Sequence, residues 1–116
     1  MVEDCIFCKI VRKEIKTEIV EESENFLCFP DNKPKTEGHC LIIPKKHFVN
    51  IMDLPADLGN ELIGIIKKAA EKKLKNGFEG FNIIMNNGEA AGQIVMHAHL
   101  HLIPRKINDK ARTEEA

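Results

Sequence analysis

Three histidines at alternate positions, His97, His99 and His101, interleaved with Ala98, Leu100 and Leu102, are the most chemically loaded stretch of the chain. Successive side chains of an extended segment point to opposite faces, so this spacing puts all three imidazoles on one side. A lone strand histidine is ordinarily a hydrogen-bonded, half-buried side chain. Three on one face would repel one another if charged and would each need partners for two ring nitrogens if buried, so packing alone does not account for them. Imidazole near its ordinary pKa can serve as nucleophile, proton donor or metal ligand, and the row offers all three uses.

A second cluster lies at the start of the chain. Cys5 and Cys8 have the C-x-x-C spacing common in zinc sites, but a thiolate pair fills only half of a tetrahedron and two histidines must complete it. Five histidines are candidates, and composition does not choose among them. A redox pair is the rival reading, weakened because such a motif follows a strand whereas this one lies within the first residues; two unrelated helix cysteines are the other. Cys28 and Cys40 sit in β-like runs and read as small buried hydrophobes. Lys45 and Lys46 follow Pro44 and read as a solvated turn.

The elements that must position these groups follow from periodicity. Ile6, Phe7, Ile10 and Val11 have helical spacing and predict a short helix over 5–14 that carries both cysteines. Segments 18–22 and 25–29 read as a hairpin, PDNKPKTEG at 30–38 as a loop, and HCLIIP at 39–44 as a strand. Leu58, Leu62, Ile65, Ile66, Ala69 and Leu74 mark one face of a long helix, with Asp53 as its N-cap and Gly77 as its stop. Residues 81–85 form a strand, NNGEAAGQ at 86–93 a glycine-containing loop, and 94–103 a strand paired back on it. The result is an α+β fold, an antiparallel sheet of about five strands with one long helix and a short N-terminal helix. One domain over residues 1–116 is expected, with a polar, mobile tail from 105.

Seventeen Lys and Arg against eighteen Asp and Glu leave a net charge of −1, which gives no footprint for nucleic acid or an anionic membrane, so any phosphate site is local. No run of eighteen apolar residues occurs and the N-terminal residues lack an apolar stretch, which predicts a cytoplasmic protein with thiols reduced. Tryptophan and tyrosine are absent, so six phenylalanines supply any aromatic contact to a base.

MHAHLHLIPR at 96–105 resembles the signature of the histidine triad family, His-x-His-x-His followed by two apolar residues. GHCLIIPKKH at 38–47, CIFCKI at 5–10, FPD at 29–31 and NNGEAAGQ at 86–93 resemble further segments of that family in the same order, and the closest likeness is to the phosphoramidase branch often called HINT. The resemblance spans nearly the whole chain short of its tail.

That resemblance implies a set of roles. His99 matches the nucleophile that attacks the α-phosphorus of a purine nucleotide derivative, giving a nucleotidyl-histidine intermediate that water resolves. His101 matches a donor to the phosphoryl oxygens or the leaving group, and Gln93 with the backbone around Gly92 matches the groups holding those oxygens. Phe7, Ile10 and Phe29 match apolar positions around the base, although periodicity alone makes them core. Asp31 matches the carboxylate on the ribose hydroxyls, Asn86 a polar contact near the sugar or phosphate, and His39 a supporting histidine beside the catalytic strand. Resemblance to zinc-containing members selects His47 and His97 to complete a structural zinc site with Cys5 and Cys8. A homodimer is implied as well.

Two positions depart from the pattern: Ile94 stands where some members of the branch carry a serine near the phosphate, and the tail lacks the tryptophan of some relatives. The favoured activity is hydrolysis of purine nucleoside phosphoramidates or related nucleotidyl conjugates. A dinucleoside polyphosphate hydrolase, a nucleotide-binding regulatory protein with incidental hydrolysis, and a metal hydrolase using the three histidines as ligands are the rivals. The last leaves the cysteine pair without purpose.

Overall fold

The structure is a computed structural model that describes residues 2–34 and 36–109. Helix α1 (Ile6–Val11) begins at Cys5, whose sulfur accepts the Cys8 backbone N–H at 3.3 Å, and ends where Lys13 takes a left-handed φ of 64°. Strands β1 (Glu21–Glu22), β2 (Phe26–Pro30) and β3 (Cys40–Pro44) follow, then α2 (Gly59–Lys75), β4 (Gly80–Ile84) and β5 (Leu100–Arg105). The five strands form one antiparallel sheet in the order β1-β2-β3-β5-β4. This is the expected α+β architecture.

The period-two alternation of the strands divides the sheet into two apolar faces. Phe26, Cys28, Cys40, Ile42, Leu100 and Leu102 meet Leu62, Ile65, Ala69 and Ala70 of α2 on one face. Leu27, Phe29, Leu41 and Ile43 lie on the other, beneath Phe7 and Ile10 of α1. Leu41 pairs with His101 across β3 and β5, so the histidines share the α1 face and α2 supports the sheet from behind.

Several boundaries differ from the sequence reading: α1 ends at Val11, short of the expected 14, and β1 begins at Glu21, after the expected 18. The long helix starts at Gly59, not after Asp53: Asn50 and Asp53 instead close a capping box on a 3₁₀ turn at Ile51–Asp53, and a second such turn at Ala56–Leu58 leads into α2. Its end is as expected, with Gly77 at a φ of 96°, although Leu74 in the last turn is exposed. Strand β5 begins only at Leu100, because Ala98 gives its N–H to the Phe48 carbonyl at 2.6 Å and residues 95–97 bend, so His97 and His99 precede the ladder. At the other end β5 runs past Pro104 to Arg105, which pairs with Gly80, and Ile107 donates its backbone N–H to Glu79 Oε1 at 2.9 Å. Residues 110–116 of the expected tail lie outside the described residues.

Among the described residues no helix is long and apolar enough to cross a membrane. Strand β4 closes one edge of the sheet and exposes Phe81, Ile83 and Ile84 by more than a third each.

Candidate active site and metal centre

Four sequence-distant residues converge beside α1. Cys5 and Cys8 come from its first turn, His47 from just after β3, and His97 from the bend before β5. Cys5 Sγ lies 3.3 Å from His97 Nδ1, Cys8 Sγ lies 3.4 Å from His47 Nδ1 and 3.5 Å from His97 Nδ1, and the two Nδ1 atoms are 3.1 Å apart. Ligands of tetrahedral zinc, with Zn–N and Zn–S bonds of about 2.0–2.1 and 2.3 Å, stand roughly 3.3–3.8 Å from one another. The three sulfur–nitrogen distances fall in or near that range and the two nitrogens are slightly closer than it, so a small expansion would let the four donors surround a zinc ion.

The proton inventory agrees with that use. His97 donates Nε2–H to the Pro44 carbonyl at 2.8 Å, which leaves the Nδ1 lone pair facing the sulfurs. Burial pushes the His97 imidazole down to about 4, so it is neutral at ordinary pH. Burial also pushes the Cys5 thiol up, so a bound cation is what would draw its proton off. Cys5, Cys8, His47 and His97, the ligand set implied by resemblance, are thus brought together.

His99 is next along the row and is less than a tenth exposed. Its Nδ1–H donates to the His97 carbonyl at 2.7 Å. In the neutral imidazole this fixes the tautomer and leaves Nε2 with a free lone pair, the state a nucleophile needs. Phe7 holds the ring edge-on, with centroids 5.2 Å apart and planes at 74°, and makes a similar contact to His97. The three imidazoles do share a side: the His99 and His101 rings are 5.2 Å apart.

His101 Nδ1 lies 2.9 Å from His39 Nε2, and that same His39 nitrogen lies 3.6 Å from Asp31 Oδ2. Asp31 Oδ1 accepts the Lys33 backbone N–H at 3.1 Å, which directs the other oxygen toward the pair. The contact between His39 and His101 was not legible in the sequence beyond a general supporting role. It depends on the β3–β5 register, which sets Leu41 opposite His101 and so brings His39, two residues before Leu41, to the same face.

The other expected contact residues sit in the 86–93 loop and in the second core cluster. Gln93 is buried, and its amide donates both N–H groups to the Val49 and Val95 carbonyls at 2.6 and 3.0 Å while Oε1 accepts from Gly88 N at 2.8 Å. With both donors used inside the protein, Gln93 shapes the 86–93 loop and has none left for a phosphoryl oxygen. The Gly92 and Gln93 amides close that loop as well, onto the Glu89 and Gly88 carbonyls, with Gly92 at a φ of 91°. Asn86 lies beside this turn, its Nδ2 3.8 Å from where a Gly92 Cβ would stand. Phe7, Ile10 and Phe29 are all buried in the second core cluster, a floor under the imidazoles more than an open slot. Ile10 also lines an apolar recess of about 620 Å³ with Ile15, Ile19 and Leu27, rimmed by Lys13 and Lys45.

The model of the HIT domain matches residues 12–108. The chain belongs to the HIT family. An uncharacterised HIT-like protein of Methanocaldococcus jannaschii is 46% identical over 105 residues, covering 90% of this chain and 81% of that protein. An adenosine 5'-monophosphoramidase of Candida albicans is 39% identical and covers 88% of this chain and 70% of its own. An adenylylsulfatase of Arabidopsis thaliana is 38% identical over 91% of this chain, which spans only 54% of that protein. A solved zinc-bound histidine triad protein of Mycobacterium smegmatis superimposes with a TM-score of 0.88 at 36% identity, covering 97% of this chain and 83% of that one.

Proposed function

We propose that this protein hydrolyses nucleotidyl conjugates, purine nucleoside phosphoramidates foremost, through a covalent nucleotidyl group on His99. The observation that carries the reading is the 2.7 Å hydrogen bond from His99 Nδ1 to the His97 carbonyl, which holds the imidazole in the nucleophilic tautomer. The relatives described as an adenosine monophosphoramidase and an adenylylsulfatase support the substrate class, since both names specify an adenylyl group joined to a leaving group.

In the first step His99 Nε2 attacks the α-phosphorus, a new N–P bond forms, and the bond from phosphorus to the leaving nitrogen breaks. With one extra proton on the hydrogen-bonded pair, so that His39 is protonated at both nitrogens, His101 Nε2 gives its proton to the departing amine while His101 Nδ1 takes the His39 Nε2 proton, which leaves both imidazoles neutral. Water then attacks phosphorus and returns a proton to His101, the N–P bond to His99 breaks, and the nucleoside monophosphate leaves. Asp31 offers carboxylate oxygens for a vicinal diol at the same end of the row. Gln93 and the Gly88 and Gly92 turn hold the loop beside the phosphate.

Bound by Cys5, Cys8, His47 and His97, zinc would supply a structural cross-link that anchors the bend ahead of His99. A second copy of the chain would pair along β4, whose exposed Phe81, Ile83 and Ile84 leave an apolar edge strand that soluble proteins ordinarily cover.

Rapid quench of an adenosine phosphoramidate followed by intact-protein mass measurement tests the intermediate. One adenylyl group per chain, mapped to His99 and absent from His99→Ala, is expected. Full turnover by His99→Ala would remove the mechanism.

A further inference from the structure

The Asp31, His39 and His101 cluster lies outside the Cys/His centre, and its three donor atoms lie within 4.8 Å of one another. His39 Nε2 and His101 Nδ1 are 2.9 Å apart and Asp31 Oδ2 is 3.6 Å from the former. Two ligands bound at about 2.1 Å stand roughly 3.0 Å apart at a right angle and 3.4 Å apart at a tetrahedral angle. The imidazole pair already meets the right-angled spacing. The carboxylate lies within 4.8 Å of both nitrogens, and it sits on a partly exposed turn tethered through its other oxygen to Lys33 N, so a shift of that turn brings it into a shared shell.

We propose that Asp31, His39 and His101 form a second, reversible divalent-metal site in which the cation takes the place of the proton shared by the two imidazoles. Binding asks only that His39 carry its proton on Nδ1 and His101 on Nε2, so that both facing nitrogens present lone pairs. Two imidazoles and one carboxylate select borderline ions such as zinc, cobalt and nickel over magnesium and calcium, which prefer all-oxygen shells. Three protein ligands leave positions open to water, unlike the four-ligand cysteine centre. His39 is almost wholly buried, whereas Asp31 and His101 are partly exposed, so the ion enters from the nucleotide side.

The regulatory consequence rests on the proposed function. Occupancy removes the acceptor bond that orients His101 and takes up the Asp31 carboxylate, so the metal and the nucleotide exclude each other. Excess zinc would then inhibit turnover while the cysteine centre stays loaded.

Cobalt(II) added to zinc-loaded protein reads the site directly. The chain has no tryptophan or tyrosine, so absorption in the near ultraviolet is nearly clear of the protein's own bands. One added equivalent should give weak visible d–d bands without the intense thiolate-to-cobalt charge transfer of a cysteine site. His39→Ala and Asp31→Asn should each weaken that binding at least about tenfold, since even outer partners of metal ligands are worth that much. If His39→Ala does not fold, Asp31→Asn, which keeps the side-chain shape, carries the test. No second equivalent in the native chain, a charge-transfer band, or unchanged affinity in a folded variant would overturn the site. Adenosine monophosphate should displace the cobalt. Cobalt that stays bound beside the nucleotide would leave the metal site standing and count against the nucleotide roles of Asp31 and His101.

Discussion

Cys8→Ala tests the metal centre most directly, because Cys8 is fully buried and lies within 3.5 Å of both candidate histidine ligands. The four donors come from the first turn of α1, the segment after β3 and the bend before β5, so one ion would tie together three parts of the chain. The four donors already lie within 4.8 Å of one another, so only a small rearrangement would close a tetrahedral shell. Free zinc at about a thousand times its dissociation constant stabilises the folded state by roughly 4 kcal/mol. A chain of 116 residues loses about 0.24 kcal/mol of stability per degree near its melting point, which converts that figure to about 17 °C. Replacing Cys8 should abolish stoichiometric zinc, lower Tm by an amount of that order, and make the melt insensitive to added zinc. The assay pairs metal analysis with thermal melts of both proteins, with and without a chelator. Native protein that is metal-free as purified and melts at the same temperature with and without zinc would rule out the zinc centre, as would a variant that keeps its zinc.

Gln93→Ala removes three buried hydrogen bonds and should cost about 2–3 kcal/mol together with most of the turnover. A fall in kcat with an unchanged melt would instead make Gln93 a direct phosphoryl ligand. Ile84→Lys places a charge on the exposed β4 edge and should convert a dimer to a monomer in sedimentation velocity; a native chain already monomeric at micromolar concentration would remove that interface. Adenosine phosphoramidate should show a higher kcat/KM than diadenosine polyphosphates under the same conditions, because residues 86–101 contain no Lys or Arg to receive a departing phosphate chain. Faster cleavage of the polyphosphates would favour the rival substrate class.

Much of the architecture was legible because it rests on local periodicity. Apolar spacing predicted α1, the five strands and α2, and Gly77 marked the stop of the long helix because its backbone needs a positive φ. Boundaries set by hydrogen bonds to remote backbone were not legible. Asp53 has the chemistry of a helix cap, yet its carboxylate accepts from Val49 and Asn50 and serves a turn ahead of α2. The alternating histidines imply one continuous strand, but the Phe48 carbonyl captures Ala98 N–H and the ladder starts two residues later.

The candidate site divides in the same way. Residue type and spacing alone singled out His97, His99 and His101 as one candidate row and Cys5 with Cys8 as a candidate half of a metal site, because imidazole and thiol chemistry is intrinsic to the side chains. The partners of those groups were decided by tertiary structure, since a sheet register and a crossing helix determine which distant atoms come within 3 or 4 Å. The His97 carbonyl that sets the His99 tautomer, the Pro44 carbonyl that turns His97 Nδ1 toward the sulfurs, and the His39 contact to His101 all depend on backbone direction, which no residue type encodes. Gln93 shows the converse. Its amide suits a phosphate ligand, but a buried amide must satisfy its own hydrogen bonds, and the folded loop supplies three backbone partners that fix it in place.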